Sequence, residues 1–63
     1  MNDIKLYVNN EFMRTCSDLF DAAEWAIGYA LEGYAVKVVC NGETILDWGK
    51  GYLKAVYDKE VNE

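Results

Sequence analysis

The pair Asn41-Gly42 stands between two strand-like runs, Val36-Lys37-Val38-Val39-Cys40 and Glu43-Thr44-Ile45-Leu46-Asp47-Trp48. A two-residue type I′ hairpin needs positive φ at both turn positions, and Asn-Gly is the pair that adopts it at least cost. A turn of that type also sets register. It predicts Cys40 opposite Glu43, Val38 opposite Ile45 and Val36 opposite Asp47, with Val39–Thr44, Lys37–Leu46 and Ala35–Trp48 on the other face. Val36, Val38 and Ile45 then form the core side. Trp48, Leu46, Val39 and Ala35 form a second apolar face, larger than scattered surface apolars account for. That face calls for a cover, either the C-terminal tail or a second copy of the chain.

The rest of the chain supplies a second hairpin and a helix. Ile4, Leu6 and Val8 alternate with Lys5 and Tyr7, the period of a half-buried strand. Asn9-Asn10 reads as a turn, and residues 11–15 as a returning strand with Phe12 and Met13 on opposite faces. Ser17 is a suitable N-cap, Asp18 and Asp21 suit the first turn of a helix, and Gly33 suits its C-terminal stop. The helix is predicted over residues 18–32. Leu19, Ala22, Ala23, Ala26 and Ala30 share its inner face, flanked by Phe20, Ile27 and Leu31. A mostly alanine face lets a helix lie close to a sheet. In residues 52–59, Tyr52, Leu53, Val56 and Tyr57 gather on one arc of a helical wheel, which favours a short helix over a further strand joined through Gly49-Lys50-Gly51. Residues 61–63 read as a frayed end. The expected fold is α+β, one small domain over residues 1–63: an antiparallel sheet of two hairpins (ββαββ), a main helix and a short C-terminal element.

A domain of 63 residues buries only about 60% of its unfolded surface, so it needs a dense core or a staple. Hydrophobic residues make up 52% of the chain and aromatics 14%, which meets the need without one. Cys16 and Cys40 are the two cysteines. The start, MNDIKLYVNN, lacks the apolar core of a secretory signal, so the thiols are expected reduced and buried. No apolar run approaches the ~18 residues of a membrane span. The expected location is the cytoplasm, with no membrane partner.

Six basic against eleven acidic residues give a net charge of −5. Phosphate backbones repel such a chain, so direct nucleic-acid binding is disfavoured. A basic protein surface, including one that normally holds nucleic acid, is the better electrostatic match. Histidine is absent, which removes the usual general base near neutral pH, the Ser–His and Cys–His pairs and most zinc sites. The two lone thiols lack metal-ligand spacing. Gly49-Lys50-Gly51 lacks the phosphate-loop spacing and its Ser/Thr. Cys16 adjoins the helix start, where the dipole could lower a thiol pKa, but a structural thiol is the simpler reading. The expectation is a protein that is not an enzyme and has no cofactor, metal or catalytic residues.

Trp25 lies off the alanine face, and Asp18, Asp21, Tyr29 and Glu32 share its flank. An aromatic ringed by acids suits a protein interface; alternatively, Trp25 drapes over the sheet edge and seals a small core. With Trp48, these make the candidate protein-binding residues Asp18, Asp21, Trp25, Tyr29, Glu32 and Trp48. The residues Ala23-Glu24-Trp25, then Gly33-Tyr34 with Val36, then Cys40, make a stretch that resembles part of the T7-type phage protein family that inhibits host RNA polymerase. The resemblance covers less than half the chain, and no site residue is carried over from it. It implies a class: small, acidic, phage-encoded α+β proteins of the host cytoplasm that bind and block a host protein complex. The alternative is a structural module that homodimerises through the Trp48 face.

Overall fold

A computed structural model describes residues 3–61. The strands are β1 (Ile4–Val8), β2 (Glu11–Cys16), β3 (Val36–Cys40) and β4 (Glu43–Trp48), and the helices are α1 (Leu19–Leu31) and α2 (Tyr52–Val61). Their order is ββαββα, and the four strands form one antiparallel sheet in the order β2-β1-β3-β4. The fold is therefore α+β, as the hairpin and helix signals predicted. α2 extends to Val61; the fraying expected at residues 62 and 63 lies outside the described residues.

The sheet buries one face under α1. Ile4, Leu6, Val8, Cys16, Val36 and Val38 meet Ala22, Ala26 and Ala30 in a single core. Small side chains on the helix let its axis settle on the central strands, so three alanines can be fully buried beside branched residues. Leu19, expected on the same face, is half exposed, at an open cleft that it lines with Ala22, Ala23, Val38, Ile45 and Leu46.

Both ends of α1 are closed by specific hydrogen bonds. The N-cap is Asp18 rather than Ser17: its Oδ1 accepts from the Asp21 amide at 2.7 Å, and Asp21 Oδ2 accepts from the Ser17 amide at 3.0 Å. Asp18 thus satisfies a backbone donor that the first turn leaves open, and Asp21 ties down the residue before the cap. At the other end the Gly33 amide donates to the Ala30 carbonyl and the Tyr34 amide to the Tyr29 carbonyl. This is a Schellman closure, and it requires the left-handed φ of 102° at Gly33.

Asn41 and Gly42 have φ of 53° and 82°, as the type I′ turn demands. Cys40 faces Glu43 and Val39 faces Thr44, but the expected register stops there. A bulge follows, so that Val38 faces Leu46, Lys37 faces Asp47 and Val36 faces Trp48. One extra residue inverts the faces of everything beyond it. Leu46 and Trp48 therefore join the core side, where both are half-buried against the central cluster. Ile45, expected inside, is 48% exposed. The expected apolar face around Trp48 does not form.

The tail is the expected helix, but it does not cover the far side of the sheet. α2 lies beside α1, with Leu53 packed on the core and the Gly51 amide bonded to the Gly33 carbonyl. The other sheet face stays open. Register places Lys5, Tyr7, Phe12, Thr15, Lys37, Val39, Thr44 and Asp47 on it. A second bulge, in β2, interrupts the Phe12/Met13 alternation, so that Phe12 pairs with Tyr7 while Arg14 pairs with Leu6. Arg14 thereby turns to the helix side.

Candidate functional site

Three of the six predicted binding residues come together. Trp25, Tyr29 and Glu32 line one groove of about 610 Å³, together with Glu24, Gly28 and Tyr34. Residues 24, 28 and 32 repeat every fourth position, as do 25 and 29, so they form adjacent rows on one flank of α1. Tyr34 arrives by a different route. The Schellman turn reverses the chain at Gly33 and returns the Tyr34 ring to 6.1 Å from Tyr29, at 53° to it. Trp25 and Tyr29 stack at 6.2 Å with 24° between their planes.

The guanidinium carbon of Arg14 lies 4.3 Å from the centre of the Trp25 ring. Among the described residues, Arg14 Nε is buried without a hydrogen-bond partner. The ring's negative face supplies attraction that a missing acceptor would otherwise leave absent. β2 is an edge strand, so Trp25 does hang over the sheet edge, and it also keeps 39% of its surface in solvent. Contact with a residue of the edge strand and presentation of a ring are thus compatible roles for one side chain.

Asp18 and Asp21 are not part of this groove; they are the N-cap pair described above. Trp48 is on β4, the opposite edge of the sheet from β2 and Arg14, and faces the core. Glu24, Gly28, Tyr34 and Arg14 were missed as site residues. The i, i+4 spacing could have revealed Glu24 and Gly28. Tyr34 and Arg14 depend on a turn closure and a bulge, which spacing alone does not show.

The open sheet face carries its own aromatic pair. Tyr7 and Phe12 meet edge to face at 5.8 Å, and the Lys37 ammonium lies 5.6 Å from the Tyr7 ring. Two of the chain's six basic residues, Lys5 and Lys37, are on this face, whereas Glu24 and Glu32 border the groove.

Cys16 and Cys40 both pair with Ile4, one from β2 and one from β3. They stand on opposite sides of β1, about 9–10 Å apart at two strand spacings, beyond the ~7 Å a disulfide spans. Both are free; Cys16 is buried and Cys40 half-buried. Burial, then the charge of Asp21, raises the Cys16 thiol pKa above its ordinary value. The position next to the helix start therefore does not activate it. Among the described residues no group of three or more potential metal ligands occurs, and no helix is long and apolar enough to cross a membrane.

Neither a protein-family model, nor a curated protein, nor a solved structure matches the chain.

Proposed function

We propose that this chain is a non-enzymatic binding protein that covers a basic surface of a partner protein through the outer flank of α1. The observation that carries the reading is the groove itself: three aromatic rings and two carboxylates on one exposed surface of a chain with net charge −5. Aromatics of this kind dominate binding hot spots, and the acids steer an oppositely charged partner. On the resemblance to T7-type inhibitors, the protein is a phage-encoded inhibitor or modulator. Its partner is then a host protein complex whose basic surface normally holds nucleic acid, and inhibition is by occlusion.

The test is parallel affinity capture from bacterial lysate with the wild type and a Glu24→Lys/Glu32→Lys variant shown to be folded by circular dichroism. A partner held by the wild type, released steeply by salt and lost by the variant supports the reading, since exposed charge pairs are screened over about 8–10 Å. A partner held equally by both proteins places the interface elsewhere. Reversing Asp18 or Asp21 is a poor test, because both acids cap the helix.

A second reading is a homodimerising structural module. What favours it is the open sheet face, where Phe12 is 56% exposed beside Tyr7 and where Val39 shares the face two strands away. Sedimentation separates the two. A dimer that persists in high salt and becomes monomeric on Phe12→Ser supports self-pairing.

A further inference from the structure

The groove on α1 is built for more than a generic positive charge. Its walls are the stacked Trp25 and Tyr29 and the tilted Tyr34, and Glu24 and Glu32 border it. Gly28 leaves its floor bare. A Cβ at Gly28 would meet nothing within 4 Å, and any residue but proline would favour the helix over glycine there. Neither packing nor backbone conformation therefore requires a glycine at this position. It does keep space open among the three rings.

We propose that this groove receives an arginine side chain from the partner protein, its guanidinium plane against the aromatic rings and its N–H groups donating to one of the two bordering carboxylates, Glu24 or Glu32. The inference rests on the reading of α1's outer flank as a protein-binding surface. Two properties of the guanidinium and one observation select arginine over lysine. The guanidinium is planar and weakly hydrated, so it stacks on rings at little desolvation cost, whereas an ammonium keeps its water. Carboxylates on the rim suit a forked donor that can bond two oxygens at once. The molecule also already contains a guanidinium–ring pairing, Arg14 at 4.3 Å from the Trp25 ring centre, so an incoming side chain meets the ring surface that Arg14 leaves free, on Tyr29 and Tyr34 above all. The groove is open to solvent, with Tyr34 42% exposed, as entry of a side chain from a folded surface requires.

The proposal can be tested without knowing the partner. Acetyl-Gly-Arg-Gly-amide and acetyl-Gly-Lys-Gly-amide carry the same charge and differ in the charged head group and one methylene of its stem. Each is titrated into the full chain and followed by ¹H–¹⁵N correlation spectra. The arginine peptide is expected to give saturable shifts at the Trp25 indole N–H and the amides of Gly28, Tyr29 and Tyr34, with at least threefold tighter binding than the lysine peptide. Gly28→Leu keeps the fold, because the site has room and leucine favours helices, and it abolishes those shifts by filling the floor. Equal binding of the two peptides, or shifts that survive Gly28→Leu, would overturn the assignment. If the peptides fail here while a captured partner still depends on Glu24 and Glu32, the interface stands and the arginine assignment falls. If the arginine peptide binds as expected but no captured partner responds to charge reversal, the groove assignment stands and the proposed function falls.

Discussion

The bulge in β4 makes a quantitative prediction, because it alone sets which face Trp48 occupies. With the bulge, Leu46 and Trp48 oppose Val38 and Val36 on the core side. Deleting Ile45 removes the extra residue and leaves those pairings in place as a regular ladder. The loss is one side chain that is 48% exposed, worth about 1 kcal/mol. Replacing Trp48 removes far more. A tryptophan buries on the order of 150–250 Å², about 4–6 kcal/mol at 25 cal/mol per Å² when fully covered. Trp48 keeps part of its surface in solvent, so Trp48→Ala should cost about 2–4 kcal/mol. A domain of 63 residues has about 3–9 kcal/mol in total. The assay is urea unfolding of four proteins: wild type, the Ile45 deletion, Trp48→Ala and the combination. With a slope near ~1 kcal/mol per molar, Trp48→Ala lowers the midpoint by about 2–4 M. It should do so equally in both backgrounds, with a coupling energy within about 0.5 kcal/mol of zero. In a hairpin without the bulge, Trp48 would lie on the open face and enter the core only after the deletion. Trp48→Ala would then cost under about 1 kcal/mol in the wild type and several in the deletion. That second pattern would refute the register.

Four further outcomes follow from the thiols and from α1. Intact mass should not change on reduction. Because the buried Cys16 keeps its proton above the ordinary thiol value of 9.0, the unfolded state ionises first, and stability should fall as pH rises past that value; Cys16→Ala should remove this part of the slope. Asp18→Ala should cost about 0.5–2 kcal/mol as the true N-cap, whereas Ser17→Ala should cost less than about 0.5 kcal/mol, both read from thermal melts. Gly33→Ala should destabilise by more than about 1 kcal/mol, since φ there is positive, while Gly28→Ala should stabilise by up to about 1 kcal/mol.

The elements were legible in the sequence because their signals are local. Alternation in Ile4–Val8, the Asn41-Gly42 pair, the alanine row of α1 and Gly33 each act within a few residues. What escaped were the bulges. A bulge in an antiparallel pair arises from how two strands fit, not from one strand's composition. Each of the two altered a face assignment: Leu46 and Trp48 moved to the core, and Arg14 turned toward Trp25. The asparagine turns hold a similar lesson. Asn9 bonds Ala35 through both its amide and its side chain, and Asn41 does the same with Asp3. These bonds extend the β1–β3 ladder at both ends, a long-range role that reading them as turns did not contain.

The acidic flank was legible in kind but not in membership, and the reason is competition for the same carboxylates. An acid in the first turn of a helix has backbone donors within reach, and Asp18 and Asp21 are held there at 2.7 and 3.0 Å. Acids further along the helix face amides already bonded within it, so their charge stays available at the surface. Glu24 and Glu32 are in that position, beside rings brought together by helical spacing and one turn closure. Net charge cannot make this distinction, because it counts a capping carboxylate and a surface carboxylate alike. The basic residues divide in the same way: Arg14 is committed to Trp25, and Lys5 and Lys37 are on the open sheet face away from the groove. A partner that approaches the groove therefore meets Glu24 and Glu32 with Lys5 and Lys37 turned away and Arg14 as the nearby base, behind the Trp25 ring, a net negative bias that favours docking on this side of so small a molecule.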